Sequence, residues 1–246
     1  MVIKAPTHID CIYKAKFVYD EGPIKNELNF EKSIEARAIQ EKLEANIMAF
    51  GKPELWNLRK LCKNKDVKLP IEIESLLKRY DFWLIQSKVS FMPAPNSCLL
   101  WLRIASKIES LSEDIENPIF YDAYPKEIHK ERQEKRKRVL GLNLKFSELL
   151  DAGGEYIDEI ECSRLEPVIS VAGLGESEAF WDFREGASTN FKGLHALYSI
   201  VELPPKSEGM KISYFARAQV KTKLGVIPIS LKRKLDGNKT YKIVFD

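Results

Sequence analysis

Residues 212–221 read Ile-Ser-Tyr-Phe-Ala-Arg-Ala-Gln-Val-Lys, and this stretch decides how the second half of the chain folds. Apolar side chains recur at every second position, and most positions between them are polar. The apolar set is Ile212, Tyr214, Ala216, Ala218 and Val220, and the polar set is Ser213, Arg217, Gln219 and Lys221. Because successive side chains of a β-strand point to opposite faces, this period predicts a half-buried strand with one face in water.

Further strand patterns occupy the chain beyond residue 140. Residues 167–172 and 179–183 are joined by Gly-Leu-Gly-Glu-Ser-Glu, which predicts a hairpin. Residues 194–203 are apolar on both faces, as in a central buried strand. Two more strand candidates are 224–231 and 241–245. Since no helical pattern separates these runs, an antiparallel β-sandwich-like region is predicted here rather than a βαβ sheet.

The pattern before residue 110 differs. Residues 30–50 carry apolar side chains at steps of three to five, and prolines open two shorter segments, 53–63 and 70–80, so three helices are predicted. Strand is expected in 82–85 and 89–91, and strand or helix in 99–108. The predicted fold class is therefore α+β, an N-terminal mostly helical region followed by the sandwich-like region. Its expected divisions are 1–109 (helical with flanking strands), 110–140 (an exposed charged connector) and 141–246 (the sandwich).

Composition and charge bound the class of protein. Of 246 residues, 44% are hydrophobic and 30% are charged, which is typical of a folded globular chain. Lys and Arg outnumber Asp and Glu by only 39 to 36, a smaller excess than a protein that coats nucleic acid usually shows. No apolar run approaches the ~20 residues that span a bilayer, and no secretory signal is recognisable. The cysteines are too far apart for a zinc framework, so free thiols and a cytoplasmic location are expected. They are Cys11, Cys62, Cys98 and Cys162.

No catalytic or cofactor motif is recognisable in the sequence. His8, His129 and His195 do not have the spacing of metal ligands. Gly173-Leu-Gly175 lacks the third glycine of a dinucleotide-binding loop and precedes acidic residues, so it predicts a turn. Neither a Gly-x-Ser-x-Gly elbow nor a phosphate-binding P-loop occurs. We therefore expect a protein that is not an enzyme, with no catalytic residues, cofactor, metal or small-molecule ligand.

Residues 126–138 form the most basic run, with seven Lys or Arg against three Glu. Closely spaced cations attract a phosphate backbone. The candidate phosphate-binding residues are Lys130, Arg132, Lys135, Arg136, Lys137 and Arg138. A solvated surface helix explains the same run, because Glu131–Lys135 and Glu134–Arg138 are favourable i, i+4 pairs. A charged edge strand that blocks aggregation explains it equally, so helix and strand both stay open.

Charge and aromatic residues are unevenly placed in the second half. Residues 146–202 carry twelve acids and three bases, whereas 203–246 carry ten bases and three acids. Two faces of opposite potential would steer charged partners, but acidic and basic strands that pair with each other would leave the same sequence. Aromatic side chains can stack on bases or cations, although core packing is their commoner use. The notable ones are Trp83, Trp101, Phe180, Trp181, Phe183, Tyr214 and Phe215.

These observations favour a non-enzymatic cytosolic protein-interaction module, an adaptor or a subunit of a larger assembly, with a protein partner. The first alternative is a protein that binds nucleic acid or another phosphate backbone through residues 126–138 and the basic C-terminal strands. A second alternative is a membrane-active β protein that uses its amphipathic strands, although a membrane is the less expected partner.

Overall fold

The computed structural model describes residues 9–19, 47–92, 98–129, 167–184, 193–222, 225–231, 236–237 and 240–245. Two short helices lie in this part of the chain, α1 (Leu58–Lys65) and α2 (Ile71–Leu76). The other elements are strands. They are β1 (Cys11–Tyr19), β2 (Ile47–Gly51), β3 (Glu54–Asn57), β4 (Asp81–Met92), β5 (Cys98–Ser110), β6 (Ile119–Tyr124), β7 (Glu127–His129), β8 (Pro167–Ala172), β9 (Glu178–Arg184), β10 (Gly193–Leu203), β11 (Gly209–Thr222), β12 (Gly225–Leu231), β13 (Asp236–Gly237) and β14 (Thr240–Val244).

The strands form two antiparallel sheets that are joined through β1. Sheet A has the order β6-β10-β4-β2-β1, with β3 also on β4 and β13 on β1. Sheet B has the order β12-β11-β5-β9-β8-β7, with β14 also on β11. The first part of β1 pairs with β2 and its last three residues pair with β12, so one strand carries the hydrogen-bonded network from sheet A into sheet B.

The main hydrophobic core lies between the two sheets. Phe50 of sheet A stacks on Tyr214 of sheet B with their ring centroids 5.0 Å apart. The Tyr214 hydroxyl also shares a buried hydrogen bond of 2.8 Å with Ser87 Oγ across the same interface. Trp83 of sheet A stacks on Phe245, which follows β14. These contacts make the two sheets the layers of a sandwich, with inner faces that are apolar.

A second, smaller core lies on the outer face of sheet A. Leu58, Leu61 and Cys62 of α1 and Ile73 of α2 are buried against apolar side chains of β4 and β10. The helix α1 begins where Asn57 Oδ1 accepts a hydrogen bond from the Lys60 amide, and ends at Asp66 in a left-handed conformation. The two helices therefore form a layer over sheet A.

The predicted α+β class with a mostly helical N-terminal region is wrong, because the described chain is mostly β throughout. Residues 47–51 are strand β2 where the end of a helix was predicted, and residues 30–46 of that prediction lie outside the described residues. Met48, Ala49 and Phe50 are all buried. A strand buried on both faces shows no alternation, so its apolar spacing fits a helical period equally well.

The predicted helix 53–63 is confirmed in its second half, as part of α1, and is wrong in its first half. Residues 54–57 pair with β4 as strand β3, and the helix begins only at Leu58. Pairing with a neighbouring strand outweighs the local preference of a four-residue segment. The predicted helix 70–80 is confirmed in its first half as α2, and 99–108 is strand within β5.

The strand predictions of the second half are confirmed. Strands β8 and β9 form the predicted hairpin, and β10 lies between β4 and β6 with most of its residues buried. Strand β11 buries the predicted apolar set and exposes Arg217 and Gln219. In the predicted connector, Glu113, Asp114 and Glu116 are exposed, but residues 119–124 form the largely buried strand β6.

Candidate functional site

The outer face of sheet B carries aromatic and arginine side chains side by side. On β5, Leu102 and Ile104 point into the core, so Trp101 and Arg103 point outward. On β9 the same alternation turns Phe180 and Asp182 outward, and on β11 it turns Phe215 and Arg217 outward. We call this set the aromatic–arginine face. Its members are Trp101, Arg103, Phe180, Asp182, Phe215 and Arg217.

Strand register places these side chains in two adjacent rows. One row runs across the sheet through Arg217, Arg103 and Asp182, which are directly opposite one another on β11, β5 and β9. The next row runs through Phe215, Ala105 and Phe180. The small Ala105 therefore separates two phenyl rings whose strands lie about 10 Å apart.

Arg103 is held at the centre of the face by three neighbours. Its Nε and Nη2 donate to Oδ1 and Oδ2 of Asp182 at 2.7 and 2.6 Å, a two-pronged ion pair. The guanidinium carbon lies 4.1 Å from the centroid of the Phe180 ring and 5.4 Å from that of Trp101. The hydrogen bond with Asp182 raises the pKa of Arg103, against the smaller opposing effect of partial burial. Arg103 is thus a fixed cation between two rings.

Phe215 is the most exposed side chain of the aromatic set. It is 42% exposed, whereas the core aromatics Tyr214 and Trp181 are each 1% exposed. Trp101 and Phe180 are half-buried. The solvent face of an antiparallel sheet usually carries polar side chains, so a cluster of three rings there departs from the pattern. A ligand that covered this cluster would remove apolar surface from water. The aromatic rings would lose little side-chain entropy, because they have few rotatable bonds.

The charges beside the face are partly neutralised within the sheet. Lys107 donates to Glu109 at 2.9 Å and stands opposite Glu178 of β9. Arg184 is exposed and stands opposite Trp101. Arg184 and Arg217, both exposed, lie towards the end of the face that holds Trp101.

The acidic and basic parts of the second half are not strand neighbours in the described structure. Strands β8, β9 and β10 come from the acidic part, and they pair with β4, β5, β6 and β7. Strands β11 to β14 come from the basic part, and they pair with β1, β5 and one another. Strand β5 lies between β9 of the acidic part and β11 of the basic part. Its Arg103 donates two hydrogen bonds to the carboxylate of Asp182 on β9.

The candidate phosphate-binding residues Lys130, Arg132, Lys135, Arg136, Lys137 and Arg138 lie outside the described residues. Just before them, residues 127–129 are strand β7, which pairs with β8 at the edge of sheet B. His8 and Cys162 also lie outside the described residues.

The remaining histidine and cysteine predictions can be located. His195 lies in β10 with its ring 6.5 Å from that of Phe183. Within the described ranges, no group of three metal-ligating side chains occurs. Cys11 is a free exposed thiol and Cys62 a free buried one, and burial raises the pKa of Cys62 to about 11. A thiol with this pKa is protonated at neutral pH and is a poor nucleophile.

Sequence reasoning missed a buried carboxylate on β6. Asp122 is 1% exposed, and its Oδ1 accepts from the Ala123 amide at 2.9 Å and from Lys126 Nζ at 3.2 Å. Its Oδ2 has no hydrogen-bond partner in the described part of the chain, and neither does the buried Nε1 of Trp181. Spacing alone does not reveal such a residue, because Asp122 and Lys126 are four apart in a segment that is not helical.

Comparisons with known proteins add no family. No protein family matches the sequence, and no curated protein does. In the described part of the chain, no helix is long and apolar enough to cross a membrane. The solved structures that match include the crystal structure of the Clostridium perfringens NetB toxin in the membrane inserted form, at 8% identity with a TM-score of 0.26. The match covers 81% of this chain and 85% of that chain. A likeness with a TM-score this low is not evidence for the fold or the function of this chain.

Proposed function

We propose that this protein is a cytosolic, non-enzymatic interaction module that docks a protein partner on the aromatic–arginine face. The observation that carries the proposal is the solvent exposure of Phe215 beside the half-buried Trp101 and Phe180 on one sheet face. The free thiols of Cys11 and Cys62 support the proposed cytoplasmic location, since such thiols persist in a reducing compartment.

The residue types of the face match those that dominate protein–protein binding. Aromatic residues and arginine are enriched in the buried centres of interfaces, and Trp, Tyr and Arg supply most strongly binding positions. Arg103 is already fixed by Asp182 and by two rings. Binding of a partner would cost Arg103 little side-chain entropy, because its guanidinium is already ordered before binding.

A protein partner fits the charges of the face better than a nucleic acid does. Phosphate backbones are bound by cations that exchange small counterions for phosphates. On this face Arg103 is committed to Asp182, and Lys107 to Glu109. Exposed carboxylates such as Glu178 would repel a phosphate backbone. Nucleic-acid binding through residues 126–138 and the basic C-terminal strands, and membrane activity of the amphipathic strands, stay predictions that rest on the sequence alone.

Affinity purification with quantitative mass spectrometry tests the proposal. The bait is the full chain, compared with a Phe215→Ser variant, which removes the exposed ring without touching the core. We expect at least one protein to be retained in a fixed ratio by the original chain and to fall about tenfold or more with Phe215→Ser, the loss that follows from a ~1.4 kcal/mol contact.

Ile71→Ser is the matched control, because Ile71 is 80% exposed on α2, over the opposite sheet. It should leave retention unchanged, and thermal melts should show both variants folded. If every retained protein responds to Phe215→Ser and Ile71→Ser alike, or to neither, the aromatic–arginine face is not the docking surface.

A further inference from the structure

We infer that the helical layer over sheet A binds the surface of an anionic lipid bilayer, with its basic side chains on the headgroups and Ile71 inserted between them. The basic side chains are exposed on α1, in the loop that follows it and just after α2. They are Arg59, Lys60, Lys63, Lys68, Lys78 and Arg79. We call these residues and Ile71 the basic layer surface. It lies over sheet A, whereas the aromatic–arginine face belongs to sheet B, so the inference does not depend on the docking function.

The helical layer concentrates positive charge. Residues 58–79 carry seven Lys or Arg against three Asp or Glu, an excess of four, whereas the whole chain of 246 residues has a net charge of +3. Within the part of the chain that the structure describes, none of the six basic side chains of the surface forms an ion pair with a carboxylate. Clustered Lys and Arg of this kind are attracted to anionic lipid headgroups.

The fold turns these cations away from the protein. Lys60 and Lys63 are three apart and lie on the side of α1 opposite to its buried residues, which are Leu58, Leu61 and Cys62. Arg59 Nη2 donates to the carbonyl oxygen of Leu77 at 3.1 Å, which ties the start of α1 to the end of α2. Arg59 therefore lies close to the two cations that follow α2. The exposed acids of α2 are in its first turn, so the contact with headgroups falls mainly to α1 and the loop after it.

Ile71 adds an apolar contact to this surface. It is 80% exposed, more than any other large hydrophobic side chain in the described ranges. It begins α2 three residues after Lys68, and the buried Ile73 fixes the same helix on sheet A. Segments that lie in a membrane interface combine these features, because aliphatic side chains enter the acyl boundary while cations stay with the headgroups.

A bilayer fits the basic layer surface better than a nucleic acid does. A duplex phosphate backbone is bound by cations and gains nothing from an exposed isoleucine. Single strands are bound by stacking bases on aromatic side chains, and residues 58–79 contain no Phe, Tyr or Trp. The combination of cations with an exposed aliphatic side chain therefore favours lipid.

Co-flotation of the full chain with lipid vesicles tests the inference. We expect binding at low salt to phosphatidylcholine vesicles that contain about 30% phosphatidylserine, little binding to phosphatidylcholine alone, and loss of binding at about 0.5 M salt. A triple variant, Lys60→Gln with Lys63→Gln and Lys68→Gln, should bind about 100-fold more weakly, since each cation near the surface contributes about fivefold.

The matched control removes the same charge from sheet B and the turn before it. It combines Lys206→Gln, Lys211→Gln and Lys242→Gln, of which the last two lie in β11 and β14. This control should weaken binding by less than about threefold, because its cations are not on the helical layer. Thermal melts should show both triple variants folded.

Ile71→Ser tests the apolar contact. It should weaken binding to the anionic vesicles about fivefold and leave the salt dependence unchanged, because the lost contact carries no charge. Val244→Ser is its control, since Val244 is 70% exposed on β14 of sheet B and should have no effect. Because the ligand is a lipid, Ile71→Ser leaves capture of a soluble protein by the aromatic–arginine face unchanged.

The contrary outcomes are distinct. No binding to the anionic vesicles at low salt, or equal loss in the two triple variants, overturns the inference. An effect of Ile71→Ser no larger than that of Val244→Ser also overturns it. Tighter binding to duplex DNA or polyglutamate than to vesicles, with the same lysine dependence, overturns it in favour of a soluble polyanion. The docking function is tested separately, by the dependence of protein capture on Phe215.

Discussion

Arg103 shows how one side chain gains its properties from three neighbours on two adjacent strands. Its own strand β5 supplies Trp101, and β9 supplies both Phe180 and the carboxylate of Asp182. The side chain of Arg103 is 39% exposed and that of Asp182 is 15% exposed. Solvent therefore partly screens the attraction between the two charges. The contribution of the pair to stability depends on its two-pronged hydrogen-bond geometry more than on charge alone.

The first prediction concerns the energy of this pair. A double-mutant cycle of Arg103→Ala and Asp182→Ala should give a coupling of about 1 kcal/mol in urea unfolding, at the upper end for a part-exposed pair because the contact is two-pronged. Arg103→Lys should keep less than half of that coupling, since Lys lacks the planar fork. A coupling of zero would show that the pair does not contribute to stability. Full retention of the coupling by Lys would show that the two-pronged geometry is not needed.

Tyr214 gives a second prediction, on the pH dependence of stability. Its hydroxyl is buried against Ser87 between the sheets, and burial raises the pKa of Tyr214 well above its usual value of about 10. Between that usual value and the raised one, the unfolded chain loses the phenolic proton while the folded chain keeps it. Tyr214 therefore contributes stability that is complete below pH ~10 and is lost as the pH rises further.

The test compares thermal melts of the original chain and Tyr214→Phe from pH 8 to 11. Phenylalanine should cost about 1 kcal/mol at pH 8, because Ser87 loses its partner, and this cost should shrink above pH ~10. A cost that stays constant over the whole range would show that Tyr214 ionises equally in both states.

At the scale of elements, the predictions that succeeded were those with clear alternation. In β11 the apolar residues from Ile212 to Val220 face the core, so period two identified both the strand and its solvent face. Strand β2 gave no such signal, since Met48, Ala49 and Phe50 are all buried. Its identity depends on pairing with β1 and β4, which are distant in sequence and which no local pattern reveals.

The third prediction concerns the start of α1. Asn57 Oδ1 accepts from the Lys60 amide at 3.1 Å, so Asn57→Ala should lower the free energy of unfolding by about 1 kcal/mol. Asn57→Asp keeps an acceptor oxygen near the helix N-terminus and should retain most of that stability. Chemical denaturation monitored by circular dichroism measures both variants. Equal loss in Asp and Ala would show that the cap is not what stabilises α1.

At the scale of the whole molecule, both sheets contain paired strands that are far apart in sequence. Strand β4 pairs with β10, and β5 pairs with β11 and β9. Sequence patterns could predict that β11 has one solvent-exposed face. They also drew attention to aromatic residues that can stack on cations. They could not predict that Arg103 meets Asp182, because those residues are 79 apart and meet only through strand pairing. The sequence thus offered the aromatic residues as candidates for stacking or packing, but it did not identify the aromatic–arginine face as a site.

Photo-crosslinking at position 215 tests the docking function most directly. The chain is made with p-benzoylphenylalanine in place of Phe215, which keeps an aromatic ring on the face, and a second version carries it in place of Ile71. After irradiation in cell lysate, the docking function predicts a discrete adduct with a protein from position 215 and no such adduct from position 71. An adduct from position 71 alone, the same adducts from both positions, or none from position 215 would contradict docking on the aromatic–arginine face.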